Sequence, residues 1–215
     1  MNYSVIVLAA GRGSRTNLDY NKVFYTFENG QTVLNKSLSV FLSDDECKQV
    51  VLVCADYEKD YVNEHYTYDS RIQVVTGGKT RQDSVYNGLQ VVDQDYVMIH
   101  DGARPFVEKN WISDLKQTLE TELACLLMVP SVDTTKIVVD GYVKESLERE
   151  LIYHAQTPQC FKTSLIKECH QLAKNKQVQA TDDAQLVEWF SDIKVKVVLS
   201  SFTNKKITLP EDLKG

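Results

Sequence analysis

The chain has 215 residues, 43% of them hydrophobic, and a formal net charge of -6. Its length and apolar content allow one sizeable core, and its longest apolar runs, such as "LACLLMVP", are far too short to cross a bilayer. The acidic balance argues against a nucleic-acid binder, which needs a basic face, but allows an anionic small ligand in a local basic pocket.

Short apolar runs alternate with amphipathic stretches through the first 130 residues. The runs are typical of strands buried on both faces of a parallel sheet, and they lie at 3–10, 49–55, 72–78, 96–100 and 123–130. Helix-length stretches lie at 32–43, 81–92 and 111–122. This order predicts an α/β fold in a single domain over 1–215, with an open, mostly parallel sheet flanked by helices.

The pattern changes after Pro130. The segment "TTKIVVDGYVKESL" predicts two short strands around Asp140-Gly141, and such a hairpin is either a dimerisation arm or a plain surface feature. Helical patterns return in "SLIKECHQLAKN" and "DDAQLVEWF", and "KVKVVLSS" predicts a last strand. Pro210 is typical of a helical first turn, so we expect the ordered protein to continue beyond Gly215.

The cysteines and the first residues bear on the compartment. The five cysteines are odd in number and lack C-x-x-C spacing, which indicates reduced thiols. The four histidines form no metal-ligand pattern with them, so no zinc site is expected. A strand-like segment follows Met1 directly and leaves no room for a signal peptide. We therefore expect a cytoplasmic protein.

The loop after the first strand, "LAAGRGSRT", is the first candidate site, because ligands of open α/β sheets bind at the carboxyl ends of strands. Gly11 and Gly13 let the backbone approach a phosphate, and successive N–H groups can form an anion nest. Arg12, Arg15 and Lys22 add positive charge.

Three interpretations compete for this loop. A phosphate-binding P-loop needs G-K-[ST], which Gly13-Ser14-Arg15 does not supply. A dinucleotide-binding turn needs Gly or Ala where Thr16 stands, and an acid about 20 residues on, whereas Asp56 lies much too far along. A plain glycine corner is the third interpretation, and it does not explain the clustered cations.

The second candidate loop is "TGGKTRQDSV". Gly77-Gly78 ends a strand, Arg81 opens a helix, and Ser84 lies one turn further. The glycines let a base or sugar approach the backbone, and a serine hydroxyl can read a pyrimidine edge. A capped strand-to-helix turn is the alternative.

The third candidate loop is "IHDGARPF". Asp101 lies just past a buried strand, a position typical of a Mg²⁺-binding carboxylate, and Arg104 follows three residues later. An aspartate that binds turn amides is the alternative. Later segments also allow plain explanations, since Thr181 or Asp182 can cap a helix and Lys206 can simply be solvated.

Eight motifs in order resemble the 2-C-methyl-D-erythritol 4-phosphate cytidylyltransferase family. They span nearly the whole chain and read "LAAGRGSR", "NK", "GGKTRQDSV", "HDGARPF", "VDTTK", "AQTPQCF", "TDDAQLVE" and "NKKITLPEDL". The resemblance implies a Rossmann-like nucleotidyltransferase fold and a homodimer joined by a protruding β-arm at about 132–155. It implies Mg²⁺-dependent transfer of a cytidylyl group from CTP to a sugar-alcohol phosphate, 2-C-methyl-D-erythritol 4-phosphate, with release of pyrophosphate, in isoprenoid precursor synthesis by the non-mevalonate pathway.

The resemblance also implies residue roles, position by position. The catalytic positions, of which the first two bind the CTP phosphates and the last two clamp the acceptor, are Arg15, Lys22, Arg149 and Lys206. The CTP-binding positions are Ala9, Ala10, Gly11, Arg12, Gly13, Gly78, Arg81, Ser84, Asp101 and Gly102. The positions around the sugar phosphate are Arg104, Thr134, Thr157 and Thr181. Asp101 matches the Mg²⁺ position, and Thr134 and Arg149 match residues that reach across from the arm of a partner subunit.

The chain departs from the family pattern without losing a charged catalytic group. Asn21 stands where the family usually has Pro before the lysine, Thr16 replaces a usual Met, Gly102 a usual Ala and Lys205 a usual Ile. Ribitol-5-phosphate cytidylyltransferases of teichoic acid synthesis share the framework and are the alternative. Their usual "HDAVRPF"-like and "TDACK"-like segments differ from those here, which favour the methylerythritol branch.

A second alternative is a nucleotide-binding module without catalysis. A binding module needs no acceptor clamp, and the retained cations at the acceptor positions, Arg149 and Lys206, speak against it. Catalysis here would need no general base, because a phosphate monoester with a second pKa near 6 is largely ionised at neutral pH. It would need charge neutralisation and in-line positioning.

Overall fold

The fold is described from a computed structural model, which covers residues 1–11 and 19–213. In this part of the chain the strands are β1 (Tyr3–Leu8), β2 (Cys47–Cys54), β3 (Ile72–Thr76), β4 (Tyr96–Asp101), β5 (Ala124–Pro130), β6 (Lys136–Val139), β7 (Tyr142–Ser146), β8 (Tyr153–Lys162) and β9 (Lys196–Leu199). The α-helices are α1 (Val33–Leu42), α2 (Lys59–Tyr66), α3 (Arg81–Leu89), α4 (Lys109–Thr118), α5 (Thr163–Lys176) and α6 (Asp183–Phe190).

Seven strands form one sheet in the order β3-β2-β1-β4-β8-β5-β9. The pairs β1–β2, β1–β4, β2–β3 and β5–β9 are parallel, and β8 runs antiparallel to both of its neighbours, β4 and β5. Among the described residues no helix is long and apolar enough to span a membrane. The predicted open, mostly parallel α/β sheet is confirmed.

Strand β8 and helix α2 are not predicted by the sequence patterns. β8 begins at Tyr153, so the last residues of the predicted arm, 132–155, belong to the main sheet. Pro158 interrupts its apolar pattern, and a proline usually speaks against a central strand. In α2 only Val62 and Tyr66 are buried, which leaves too few apolar positions for a helical period to stand out.

Helices cover both faces of the sheet and enclose two apolar clusters. Val5 and Val7 of β1 point to one cluster and Ile6 to the other, because successive side chains of a strand face opposite sides. The first cluster includes α1, α2 and α4, and the second includes α3, α5 and α6. Burial on both faces explains why the strands are near-continuous apolar runs.

The functional edge of the sheet follows from its topology. β1 lies between β2 and β4, so the connections from β1 to β2 and from β3 to β4 diverge at this point. Leu8 at the end of β1 pairs with Val53 of β2 and with Asp101 of β4. Ligands of open α/β sheets bind at such a switch point, beyond the carboxyl ends of the strands.

The predicted hairpin is confirmed as a separate two-stranded sheet of β6 and β7. Asp140 and Gly141 both have positive φ, 50° and 82°, as a tight hairpin turn requires. Most apolar side chains of the hairpin stay exposed, among them Val138 at 57% and Tyr142 at 80%. Pro210, predicted to open a helical turn, begins the 3-10 helix Pro210–Leu213.

Strand β8 also anchors α6. Gln159, only 1% exposed, accepts hydrogen bonds at Oε1 from the amides of Asp183 (3.0 Å) and Ala184 (3.0 Å). Its Nε2 donates to Asp182 Oδ2 at 2.8 Å, and Asp182 in turn accepts from the amide of Gln185 as the helix cap. One buried carboxamide therefore fixes the start of α6 on the centre of the sheet.

We expect Gln159→Leu to lower the free energy of unfolding by about 2–3 kcal/mol, because two buried helix amides lose their acceptor. Denaturant unfolding followed by circular dichroism measures the change. The control Gln117→Leu, at an exposed position of α4, should stay within about 0.5 kcal/mol. Equal effects of the two substitutions would contradict the anchoring role.

Candidate active site

A cleft of about 790 Å³ opens at the carboxyl edge of the sheet. It brings together most of the predicted nucleotide-binding and catalytic positions that the structure describes. Those lining the cleft are Ala10, Gly11, Lys22, Gly78, Arg81, Ser84, Asp101 and Lys206. Segments far apart in the sequence thus meet in one cavity, as the predicted sheet edge implies.

Asp101 is the electrostatic centre of the cleft. Its side chain is 10% exposed and lies near three cationic groups: Lys206 Nζ at 2.8 Å, Arg81 Nε at 3.4 Å and Arg104 Nε at 3.9 Å. Burial alone would raise the pKa of Asp101, but the positive charges of Arg81, Lys206 and Arg104 outweigh it and hold the pKa far below its usual range. The carboxylate is therefore ionised at any physiological pH.

Arg81 bridges this carboxylate to a second one. Its Nη1 lies 2.7 Å from Oδ2 of Asp183, which is 1% exposed at the start of α6. Asp183 Oδ1 accepts from His170 Nε2 of α5 at 3.0 Å. Burial raises the pKa of Asp183, but Arg81 and His170 outweigh this and the pKa is lowered overall. The guanidinium is thus held between two carboxylates, aimed at Asp101.

Thr157 and His100 hold Asp101 from behind. The amide of Asp101 donates to Thr157 Oγ1 at 3.0 Å, and Thr157 Oγ1 lies 3.1 Å from His100 Nδ1. His100 Nε2 donates to the carbonyl of Arg104 at 3.1 Å, so Nδ1 accepts the threonine proton. Burial lowers the pKa of His100 to about 4, which matches a neutral ring. Thr157, predicted to bind the acceptor, is buried and positions Asp101 here.

The segment that carries Lys206 is tied down by backbone contacts. Asn204 donates from Nδ2 to the carbonyl of Thr157 at 3.0 Å, and the amide of Ile207 donates to the carbonyl of Ala103 at 2.8 Å. Arg104 Nη1 donates to the carbonyl of Asn204 at 2.7 Å. Lys206 therefore reaches Asp101 because its segment is bound at Asn204 to Thr157 of β8 and at Ile207 to Ala103 in the loop after β4.

Ser84 shapes the loop after β3. Its hydroxyl donates to the carbonyl of Thr80 at 2.9 Å and accepts from the amide of Gly78 at 3.0 Å. A Cβ on Gly78 would lie 2.2 Å from Asp83 Cβ, so only glycine fits there. Since the single O–H of Ser84 is already used, its first role in this structure is to hold the loop that forms the cleft wall.

Asn21 joins the first loop to the ends of β1 and β2. Its Nδ2 donates to the carbonyl of Ala9 at 2.6 Å and to Glu58 Oε2 at 3.2 Å, and Oδ1 accepts from the amide of Val23 at 3.4 Å. Glu58 is 8% exposed, and its burial raises the pKa of the carboxyl although the Asn21 hydrogen bond opposes this. The amide of Ala9 donates to the carbonyl of Val53 at 2.7 Å. The amide and the carbonyl of Ala9 are therefore both hydrogen-bonded within the protein.

Other predicted site residues lie elsewhere or outside the described chain. Thr134, before β6, and Arg149, after β7, are both exposed. Thr181 is also exposed, and its amide donates to Gln185 Oε1 at 2.9 Å. A Cβ on Gly102 would lie 2.9 Å from the carbonyl oxygen of Leu8, so this glycine allows close packing against β1. Three predicted phosphate-binding residues fall outside the described residues: Arg12, Gly13 and Arg15.

Several residues of the site are not predicted from the sequence. Asp56 and Tyr57 line the cleft from the turn after β2. Lys79 and Thr80 also line it, and they lie inside the quoted "GGKTRQDSV" motif, where they were assigned no role. Asp183 lies within the quoted "TDDAQLVE" segment, where the second aspartate carried no assigned role. For His170, part of an ordinary amphipathic helix, the sequence offers no signal.

Comparisons with known proteins point to one family over nearly the whole chain. The family model for 2-C-methyl-D-erythritol 4-phosphate cytidylyltransferase matches residues 3–215. The protein of that name from Halalkalibacterium halodurans is 43% identical over 217 residues, which cover 99% of this chain and 94% of that relative. The one from Clostridioides difficile is 41% identical, over 98% of this chain and 90% of that relative.

Solved structures agree with the sequence relatives. The 4-diphosphocytidyl-2C-methyl-D-erythritol synthase of Anaerococcus prevotii aligns with a TM-score of 0.88 at 32% identity, covering 99% of this chain and 93% of that one. The 2-C-methyl-D-erythritol 4-phosphate cytidylyltransferase of Francisella tularensis aligns with a TM-score of 0.85 at 32% identity, covering 100% and 97%.

We expect Glu58→Gln to gain stability relative to the unmodified protein as pH rises from about 4 to about 8. Burial raises the pKa of Glu58 in the folded protein above the unfolded-state pKa near 4.5. The protonated carboxyl therefore stabilises the fold at pH values below 4.5, and this contribution is lost as the pH rises through the folded-state pKa. Thermal melts across this range measure the difference. The control Glu120→Gln, at an exposed position, should show no such trend, and parallel curves for both variants would contradict the expectation.

Proposed function

The chain belongs to the 2-C-methyl-D-erythritol 4-phosphate cytidylyltransferase family, and we propose that it transfers the cytidylyl group of CTP to 2-C-methyl-D-erythritol 4-phosphate. The products are 4-diphosphocytidyl-2-C-methyl-D-erythritol and pyrophosphate, on the non-mevalonate route to isoprenoid precursors. The observation that carries the proposal is the convergence of Lys22, Asp101 and Lys206 on one cleft at the positions that the family motifs mark.

The reaction is attack of an acceptor phosphate oxygen on the α-phosphorus of CTP, with the bond to pyrophosphate breaking. The acceptor phosphate has a second pKa near 6 and is largely ionised at neutral pH, so the cleft need not supply a base. The protein's task is to place the two phosphates in line and to neutralise the charge on the leaving group. A cleft with buried, fixed cations suits this task.

Lys22 is the described cation best placed for the triphosphate. It is 8% exposed, opens the 3-10 helix Lys22–Phe24 and lines the cleft beside Ala10 and Gly11. We assign it to the CTP phosphates, together with Arg15 of the "LAAGRGSR" motif. Lys206, whose side chain is 37% exposed, reaches into the same cleft and is assigned to the acceptor phosphate.

Asp101 is suited to hold Mg²⁺ together with the substrate. Its carboxylate is a hard oxygen ligand, and no cluster of three acidic, histidine or cysteine side chains able to hold a metal occurs among the described residues. This fits Mg²⁺, which commonly takes one or two carboxylates and completes its shell with phosphate oxygens and water. Bound there, the ion would neutralise phosphate charge, while Arg81 and Arg104 keep the carboxylate in place.

We expect pyrophosphate release from CTP and Mg²⁺ with 2-C-methyl-D-erythritol 4-phosphate, and little with ribitol 5-phosphate. The relatives are named for the first acceptor, which favours it. Lys22→Ala should fold and lose about 10²–10³ in kcat, as typical for a lost preorganised charge, and EDTA should stop the reaction.

The matched control is Lys109→Ala, at an exposed position of α4, which should keep its rate. Near wild-type kcat in Lys22→Ala would refute the role of this lysine. Release only with ribitol 5-phosphate would shift the acceptor, and tight CTP binding with no release for either acceptor would leave a nucleotide-binding module.

A homodimer joined by the hairpin completes the proposal. A two-stranded hairpin is at best marginally stable alone in water, and this one exposes Val138, Val139 and Tyr142. Burial against a second copy would cover these side chains. It would also carry Thr134 and Arg149, exposed in the single chain, towards the partner's cleft. We further propose a cytoplasmic location, which the five buried free thiols support.

Mixing Arg149→Ala subunits with Lys22→Ala subunits should restore activity if Arg149 serves the neighbouring site. A heterodimer then contains one cleft with both residues intact, so up to about half of the wild-type rate per dimer is expected. Differently tagged subunits, purified on both tags and assayed for pyrophosphate release, provide the measurement. No recovery in verified heterodimers would contradict a shared site.

A further inference from the structure

Asn21 lies where three parts of the active-site edge meet. It immediately precedes Lys22, and its side chain lies between the chain leaving β1 and the turn Asp56–Glu58 after β2. The residue is 4% exposed. It also lines the cleft, so it is both buried and adjacent to the space assigned to CTP.

The carboxamide of Asn21 is used almost completely. Both of its N–H groups donate, one to the carbonyl of Ala9 at 2.6 Å and one to Glu58 Oε2 at 3.2 Å. Its oxygen accepts from the amide of Val23 at 3.4 Å and caps the 3-10 helix. Two donors and one acceptor on so short a side chain are particular to asparagine, since aspartate has the same shape but no N–H.

The turn that follows is anchored on its other side. The amide of Phe24 donates to the carbonyl of Asn21 at 2.9 Å, and the amide of Tyr25 donates to that of Lys22 at 3.1 Å. Val23 is buried in the core with 3% of its surface exposed. The ring of Phe24 packs edge-on against that of Tyr61, with 5.1 Å between the ring centroids. With its following residues fixed in this way, the backbone position of Lys22 depends on what fixes Asn21.

We propose that Asn21 is the positioning residue for Lys22, with buried Glu58 as its fixed acceptor. The amide holds the turn against the ends of β1 and β2, and this sets the height of the lysine ammonium above the sheet edge. The inference rests on the proposed function, because it assumes that Lys22 acts on the CTP phosphates. Asn21 itself acts through Lys22 and through the backbone.

The test is a double-mutant cycle on pyrophosphate release from CTP with 2-C-methyl-D-erythritol 4-phosphate. Asn21→Asp keeps the shape and removes both donors, and kcat should fall about 100-fold, as expected when a catalytic group is displaced by about 1 Å. The KM for the acceptor should stay within about twofold, because the Lys206 segment is untouched. In the Lys22→Ala background the same change should cost no further rate, since its effect passes through the lysine.

Restoring a donor from the other side should rescue the enzyme. In the double variant Asn21→Asp, Glu58→Gln, the new amide at position 58 can donate to the new carboxylate at position 21. We expect kcat to recover on the order of tenfold relative to Asn21→Asp alone. The matched control is Asn29→Asp, at an exposed turn position where Oδ1 accepts from the amide of Gln31 at 3.1 Å, and it should leave kcat unchanged.

The outcomes separate the inference from the proposed function. Wild-type kcat in Asn21→Asp, or an equal further loss in the Lys22→Ala background, overturns the positioning role, and so does a failed rescue with a folded double variant. Near wild-type kcat in Lys22→Ala instead defeats the assigned role of the lysine. If circular dichroism shows Asn21→Asp unfolded, Asn21→Ser, which keeps one donor, takes its place in the same cycle with the same criteria.

Discussion

A buried carboxylate at the end of a central strand is the constraint on which this site depends. Asp101 cannot stay ionised away from water without cations close by, and leaving it unpaired would cost several kcal/mol. The three cations come from α3, from the loop after β4 and from the segment around residue 206. One charge at the sheet edge therefore requires distant parts of the chain to converge, and their convergence forms the cleft.

Further buried residues orient Arg81 and Asp101 from inside the protein. Arg81 is aimed at Asp101 by Asp183, which is itself fixed by His170 and by Gln159 at the centre of the sheet. Thr157 and the neutral ring of His100 fix the backbone of Asp101. Because the groups are oriented before any ligand arrives, little reorganisation is needed when phosphate charge develops.

The backbone conformation and hydrogen bonds of Asn21 explain why this residue can stand before the lysine. Its φ is -65°, the value to which a proline ring is locked, so the backbone keeps the conformation that the usual proline would impose. Where proline restrains the chain covalently, asparagine restrains it by hydrogen bonds to Ala9, Val23 and Glu58. The departure from the family pattern exchanges one kind of rigidity for another.

The sequence by itself determined the elements with a clear local period and the loops at their ends. The apolar runs of β1 to β5 and the Asp140-Gly141 turn are readable because burial and turn geometry act on neighbouring residues. The same loops supplied Lys22, Ser84 and Asp101 as candidate site residues, and the resemblance to the family added Lys206. Only the tertiary structure placed β8 between β4 and β5, since its hydrogen bonds go to strands far along the chain. It also decided that the hydroxyls of Ser84 and Thr157 form hydrogen bonds within the protein, and that His170 supports Arg81 through Asp183. A hydrogen bond to a distant partner leaves no periodic pattern in the sequence.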